Sequence, residues 1–200
     1  MVTLDEAERV QPDSLAAWAA WLAENHTRSD GVWLVTFKKA TGRRAFDYDA
    51  AVTEALRYGW VDSLPRSLDD ERTMLWFAPR NPRSGWSRAN KKRIATLEKQ
   101  GRLEAAGSAA VATAKADGSW SMLDEVENLT VPDDLARALD DHPGARANWD
   151  GFPPSAQRGI LEWILQAKRP TTRQNRIRDT AQKAARGERA NQWSRRRDPQ

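Results

Sequence analysis

The stretch that decides the fold is Tyr58–Asn90, YGWVDSLPRSLDDERTMLWFAPRNPRSGWSRAN. It predicts a β-hairpin, because Trp60–Asp62 is typical of the start of one strand and Thr73–Ala78 of the returning strand. Leu68–Glu71 is typical of the turn between them, since aspartate is a preferred turn residue. Pro65 must then lie at an edge or a bulge, because proline cannot donate a hydrogen bond to a neighbouring strand.

Upstream of the hairpin, the pattern predicts one helix and two strands. Asp13 or Ser14 caps a helix that runs to about Asn25, with apolar residues at helical spacing. The polar residues before this helix are expected to fray. Val32–Lys39 is rich in β-branched and aromatic residues and is therefore predicted to be a strand. A short second strand is expected near Arg44–Phe46.

A second helix is predicted from Tyr48 to Tyr58. Asp47 has the side chain of a helix cap at its start. Gly59 follows its end and can take the left-handed conformation with which helices terminate. The hairpin therefore leaves directly from the end of this helix.

The second half of the chain has helical periodicity. A basic helix starts at Ser84 or Ser87, and further helical segments follow as far as Arg186. The fold class is thus α+β, with a small, mainly antiparallel sheet and helices in the N-terminal half and an all-helical C-terminal half. The segment from Trp120 to Val131 is expected to be a connector and a subdomain boundary. The parts expected are an α+β subdomain at 13–101, a helical subdomain at 102–187 and a basic tail at 188–200.

Composition limits the class of protein. The chain has 200 residues, of which 40% are hydrophobic and 30% charged, as is usual for a soluble protein. No stretch approaches the length of an apolar membrane span. The N-terminus is acidic and lacks the apolar segment of a signal peptide. The chain has no cysteine. We therefore expect a cytoplasmic protein without membrane insertion.

The net charge of +4 hides a strongly uneven distribution. Residues 79–102 carry eight basic residues and one acidic residue, and residues 168–200 carry eleven basic and three acidic residues. The rest of the chain is acidic. Two basic segments on an acidic body can attract phosphates or acidic partners, although such helix faces are more often simply solvated.

Several kinds of chemistry lack their sequence signals. His26 and His142 are the only histidines, and neither has a second ligand at a spacing that suits a metal. The chain has neither a glycine-rich phosphate loop nor the nucleophile elbow G-x-S-x-G. We therefore predict no cofactor, no metal and no catalytic residue.

The sequence leaves three roles open for Asp62. It follows two bulky residues on a strand, so its carboxylate is expected to be partly desolvated and to need a donor. An ion pair with Arg66 or Arg72 across the hairpin is the favoured interpretation. A charge that faces a ligand and a catalytic acid or base are the alternatives.

A basic and aromatic pocket is the favoured binding site. Trp60 and Trp86 would form its walls, cations would hold an anion and Asp62 would orient them. The ligand would be a small anionic or peptidic molecule, or a partner protein. The predicted pocket consists of Lys38, Trp60, Asp62, Arg66, Arg72, Arg80, Trp86 and Asn90.

Two other classes of function stay open. One is a nucleic-acid-binding protein that uses the basic segments 80–102 and 168–197, since Trp86 lies between arginines as in binders of single strands. The other is an enzyme of unknown reaction centred on Asp62.

Six segments carry a resemblance to a known family: GVWLVTFKK (31–39), EALRYGWVDS (54–63), LDDERTMLWFAPRNPRSGWSRAN (68–90), VPDDLARAL (131–139), PPSAQRGILEWILQAKRPTTRQNRIRDT (153–180) and ANQW (190–193). Together they resemble the YdeI/OmpD-associated family, whose members are called bacteriocin-protection proteins. The resemblance extends over residues 14–193 and departs from the family pattern at Ser63, where many members have glycine. It implies a bacterial intracellular α+β protein linked to tolerance of bacteriocins or antimicrobial peptides, without established catalytic residues.

Overall fold

The computed structural model describes residues 4–191, which form two compact units that divide between Met122 and Leu123. The first unit contains a four-stranded sheet and four α-helices, and the second contains helices alone among its described residues. The α+β fold class is thereby confirmed. The elements are β1 (Arg9–Val10), α1 (Leu15–Asn25), β2 (Val32–Phe37), α2 (Tyr48–Arg57), β3 (Trp60–Ser67), β4 (Arg72–Pro79), α3 (Arg88–Lys99), α4 (Ala105–Ala116), α5 (Asp124–Glu127), α6 (Asp133–Asp140), α7 (Ala145–Asp150), α8 (Pro154–Leu165) and α9 (Pro170–Ala185).

The sheet has the strand order β1-β2-β4-β3. β4 pairs antiparallel with both β2 and β3, and the two-residue β1 pairs parallel with β2. The predicted hairpin is therefore confirmed as β3 and β4, with Asp69 accepting the backbone N–H groups of Glu71 and Arg72 in the turn. β3 is an edge strand, which satisfies the constraint that Pro65 imposes.

β3 contains a one-residue bulge. Asp62 pairs with Phe77, but Pro65 pairs with Leu75, so three steps along β3 match two along β4. Because side chains alternate between the two faces of a strand, one extra residue reverses the faces of all residues beyond it.

The two faces of the sheet have separate cores. Val32, Leu34 and Phe77 lie on the face that α1 and α2 cover, in a core that also contains Trp18 and Trp60. Trp33, Val35 and Met74 form a smaller cluster on the other face. The side chains of β2 thus contribute alternately to the two cores.

The helix caps follow the expected local chemistry. Ser14, Asp47 and Ser87 accept backbone N–H groups at the starts of α1, α2 and α3. Gly59 has a φ of 75° at the end of α2, in the left-handed region that favours glycine. These caps fix where α2 begins and where β3 leaves it.

Two expectations for the N-terminal half were wrong. The strand near Arg44–Phe46 is absent, because β2 already has β1 on one side and β4 on the other. The segment expected to fray contains β1, which is too short for the alternating pattern that reveals a strand. Trp33 anchors this segment by donating its indole N–H to the carbonyl of Leu4 at 2.6 Å.

The observed division of the chain lies between Met122 and Leu123, inside the stretch expected to be a connector and 21 residues beyond the subdomain limit expected at 101. α4 accounts for the difference, because it packs on α2 in the first unit. A Cβ atom added at Gly107 would lie 2.3 Å from the carbonyl oxygen of Arg57. The expected basic tail, 188–200, lies mostly outside the described residues.

The helices of the second unit pack around one apolar core that includes Leu135, Trp149, Ile160 and Ile177. Arg173 of α9 donates two hydrogen bonds, of 2.7 and 2.9 Å, to the carboxylate of Asp134 in α6. Such a bidentate ion pair fixes the relative orientation of the two side chains as well as pairing their charges. No helix in residues 4–191 combines the length and the apolar character needed to cross a bilayer.

Gly107→Ala is expected to destabilise the first unit by about 1–3 kcal/mol, because the added methyl group would clash with the backbone of α2. Gly159→Ala is the matched control. Gly159 also lies within a helix, but an added Cβ would meet no atom within 4 Å, so this change is expected to stabilise by about 0.5–1 kcal/mol. Urea unfolding of the two variants measures both effects. A Gly107→Ala variant as stable as the parent would contradict the close packing of α2 and α4.

Candidate functional site

A cavity of ≈360 Å³ lies between the helix-covered face of the sheet and the start of α2. We call it the sheet cavity. Its apolar lining includes Leu34, Leu75, Phe46 and Ala51. This size and lining are typical of sites for small organic ligands.

Seven polar residues interrupt the apolar lining of the sheet cavity: Thr36, Arg44, Asp47, Tyr48, Asp62, Ser63 and Thr73. Arg44, Tyr48 and Asp62 are the three considered as ligand-binding groups. The Asp47 cap makes Tyr48 the first residue of α2, from where its hydroxyl donates to Oδ2 of Asp62 at 2.8 Å. Arg44 lies in the loop that precedes this cap.

Arg44 has an unsatisfied donor. Its Nε is buried and has no hydrogen-bond partner. A buried donor without an acceptor destabilises a protein by about 1–3 kcal/mol. The arrangement therefore favours an acceptor that comes from outside the chain.

A second depression, the basic groove, adjoins the sheet cavity. It is lined by Lys38, Lys39, Arg44, Pro65, Arg66, Ser67 and Thr73. Arg44, Pro65 and Thr73 line both sites. The apolar cavity thus opens beside a groove that carries four cationic side chains.

The Tyr48 phenol is held in its neutral form. Burial and then the hydrogen bond to Asp62 raise the pKa of Tyr48 from its ordinary 10.0 to about 12. The hydroxyl is therefore a donor at neutral pH, and Oδ1 of Asp62 is the carboxylate oxygen left to accept from a ligand.

The predicted pocket of eight residues is divided among several places. Asp62 lines the sheet cavity, and Lys38 and Arg66 line the basic groove. Arg80 and Trp86 line a separate small cavity. Arg72 lies in a groove at the hairpin turn. The structure therefore corrects the hypothesis of one shared pocket, and ligand binding by the individual residues stays a prediction.

Trp60 and Asn90 have structural contacts. Trp60 is 1% exposed in the core and donates its indole N–H to the carbonyl of His26 at 3.0 Å. Asn90 lies in the first turn of α3, where its Oδ1 accepts from Arg93 at 2.6 Å. Neither lines one of the cavities described above.

The ion pair expected for Asp62 is not formed with either predicted partner. Arg66 instead pairs with Asp5 at 2.5 Å, and Arg72 pairs with Asp69 at 2.7 Å. The bulge explains the outcome for Arg66. Asp62 shares the helix-covered face with Phe77, whereas Arg66, beyond the bulge, pairs with Met74 and stacks on Trp33 of the opposite face.

Sequence reasoning missed Arg44, Phe46 and Tyr48. The sequence predicts a strand followed by a helix for their segment, an arrangement that does not indicate that the three side chains line one cavity. The available signal was the run RAFDY, in which an arginine and two aromatic residues surround the Asp47 cap. Such a loop, fixed by a helix cap beside a sheet, often carries binding residues.

The basic segments are partly neutralised within the chain. Arg93 pairs with Asp49, and Arg102 pairs with the buried Glu54. In the second unit, Lys183 forms an ion pair with Asp179, and Arg186 forms one with Glu188. Within residues 4–191, no group of three or more histidine, aspartate or glutamate side chains is arranged to hold a metal ion.

Asp62→Asn is expected to lower the pKa of Tyr48 from about 12 toward 10.0, since it removes both the charge and the strongest acceptor. Because the folded-state pKa is the higher one, neutral Tyr48 stabilises the fold below pH 10, and this contribution is lost as the pH rises toward 12. Ultraviolet titration of the phenolate measures the pKa. The chain has two tyrosines, so Tyr48→Phe assigns the absorbance steps. An unchanged step in Asp62→Asn would contradict the hydrogen bond.

Comparison with known proteins gives two family matches. Residues 128–187 match the family described as bacteriocin-protection, YdeI or OmpD-associated, which confirms the predicted resemblance as a partial match in the second unit. No curated protein matches the chain. No solved structure matches it either. Residues 10–110, just over half of the 200 residues and all within the first unit, match the domain of unknown function DUF8412, so the chain belongs to the DUF8412 family.

Proposed function

We propose that the chain is a binding protein whose sheet cavity takes a small amphipathic anion. The observation that carries the proposal is the Nε of Arg44, a buried cationic donor without a partner at the border of an apolar cavity. A carboxylate or similar group of a ligand would satisfy it. An apolar body attached to that group would fill the cavity.

The charges around Arg44 support an anion rather than a neutral ligand. The basic groove adds Lys38 and Lys39 beside it, together with Arg66, whose charge is already paired with Asp5. Lys38 donates to the backbone carbonyl of Asp69, which is a neutral acceptor. Several cations at one rim attract an anion and orient its charged end toward the rim.

Asp62 supports a ligand that also carries a hydrogen-bond donor. Its Oδ2 is occupied by Tyr48, and its carboxylate lines the same cavity as Arg44. A molecule with an apolar body, a carboxylate and an N–H group would satisfy both side chains. Acylated amino acids and short peptide ends have these three features, so we propose a peptidic ligand.

The family match of the second unit suggests the biological setting. Because residues 128–187 match a bacteriocin-protection family, we propose that the protein acts in tolerance of bacteriocins or other antimicrobial peptides. We propose that this action takes place in the cytoplasm. Recognition of a peptide carboxylate in the sheet cavity would fit this setting.

N-acetylphenylalanine is a suitable probe, and N-acetylphenylalaninamide is its uncharged match. We expect the acid to bind at least about tenfold more tightly than the amide, because a charge-assisted hydrogen bond is worth about 1.5–3 kcal/mol. Arg44→Gln is expected to abolish this preference. Isothermal titration calorimetry measures the affinities.

Arg43→Gln is the matched control for Arg44→Gln, since it removes the same charge from the neighbouring residue. Arg43 lies over the ring of Phe37, pairs with Glu71 and lines the groove at the turn. The Arg43→Gln variant should therefore keep the preference for the acid over the amide. Equal losses in the two variants would show a general charge effect and contradict the assigned role of Arg44.

A cell-based experiment tests the proposed setting. Bacteria that produce the chain or its Arg43→Gln variant are expected to survive a cationic antimicrobial peptide better than cells with an empty vector. Arg44→Gln should lose this protection while accumulating to the same level. Equal protection by both variants would separate the tolerance phenotype from the sheet cavity.

A further inference from the structure

The segment between β4 and α3 encloses a second, smaller cavity. Its volume is ≈90 Å³, and its lining comes from residues 80–86 and from α4 with the turn that follows it. We call it the loop cavity. It has room for a few water molecules or for one small oxyanion.

Arg80 is fixed beside the loop cavity. Its guanidinium carbon lies 3.8 Å from the ring centroid of Trp86, and its Nη2 donates to the carbonyls of Ser84 and Gly85 at 3.1 and 2.5 Å. These hydrogen bonds orient the guanidinium. Their acceptors are uncharged, so they do not neutralise it.

Two buried donors at this site lack acceptors. The Nε of Arg80 has no hydrogen-bond partner, and neither has the indole Nε1 of Trp86. Trp86 is 1% exposed, so bulk water does not reach its ring. By contrast, the indole N–H groups of Trp18, Trp33 and Trp60 each donate to a backbone carbonyl.

The electrostatics of Arg80 also favour an added anion. Burial lowers the pKa of Arg80 to about 10, although the negative charge of Asp62 acts to raise it. A lowered arginine pKa shows that the surroundings do not fully replace the hydration of the cation. An anion in contact with the guanidinium would reverse this shift.

Asp117 is the acidic residue in the lining, and it opposes an anion. Its carboxylate already accepts a hydrogen bond from the backbone N–H of Ser119. Hydrogen bonds from Ser119, and then from the backbone of Arg83, lower the pKa of Asp117. Arg83 lines the cavity as well. The cavity lining therefore contains two arginines and one carboxylate.

We infer that the loop cavity binds a small oxyanion, held by the Nε of Arg80 and the indole Nε1 of Trp86. The ligand is a free phosphate or the phosphoryl group of a larger molecule, since both present the same acceptor oxygens. The site differs from the sheet cavity in its residues and its ligand class. It can therefore be tested independently of the proposed function.

Calorimetric titration with inorganic phosphate and with glycerol 3-phosphate tests the inference. We expect saturable binding of at least one of them. Equal affinities would show recognition of the phosphoryl group itself, and binding of inorganic phosphate alone would show that the cavity closes over a free anion. No saturable binding of either compound would overturn the inference.

Trp86→Phe removes the indole donor and keeps an aromatic ring against Arg80. It is expected to weaken phosphate binding about tenfold, as for the loss of one hydrogen bond to an anion. Arg80→Lys keeps the charge but loses the planar donor and is expected to weaken binding by at least as much. Unchanged affinity in both folded variants would overturn the inference.

Asp117→Asn provides a readout with the opposite sign. Removing the opposing charge is expected to tighten phosphate binding several-fold. A purely structural role of Arg80 and Trp86 predicts no such gain, and an unchanged or weaker affinity in a folded Asp117→Asn variant would count against the site.

The second unit offers a matched control in another arginine–tryptophan pair, Arg176 and Trp163, with the guanidinium carbon 4.9 Å from the ring centroid. Trp163→Phe and Arg176→Lys should leave phosphate binding unchanged. Arg44→Gln should also leave it unchanged, which separates this site from the sheet cavity.

Discussion

The one-residue bulge in β3 is the constraint on which the arrangement of the first unit depends. It places Asp62 on the helix-covered face of the sheet and Arg66 on the other face. Without the extra residue, these two side chains, four positions apart, would share a face. The bulge therefore keeps Asp62 available to Tyr48 and to the sheet cavity, and sends Arg66 toward Trp33 and Asp5.

The two candidate sites share one feature, a buried arginine Nε that has no hydrogen-bond acceptor. Arg44 and Arg80 each have a buried Nε without a partner, in a chain where many other arginines have paired with carboxylates. Each of the two lies in a loop held by a nearby helix or strand end, and each lines a cavity. Burying a cationic donor in this way lowers stability, and a ligand acceptor would recover that loss.

Much of the fold could be predicted from local chemistry, but the site could not. The caps at Ser14, Asp47 and Ser87, the end of α2 at Gly59 and the hairpin turn all depend on contacts within a few residues. The site depends on register instead. Pro65 indicated an edge or a bulge, yet nothing in the sequence said that the bulge would separate Asp62 from Arg66. The role of β2 as an inner strand, which left Arg44 in a loop, likewise follows from pairing between distant segments.

The same bulge has a consequence for association between molecules. An exposed edge strand offers unpaired N–H and C=O groups on which another chain can add, and β3 is such an edge. Pro65 removes one donor from it, and the bulge interrupts the regular spacing of the others. The opposite edge, β1, is two residues long. Neither border of the sheet is therefore a good template for strand addition, and this protects the protein against edge-to-edge aggregation.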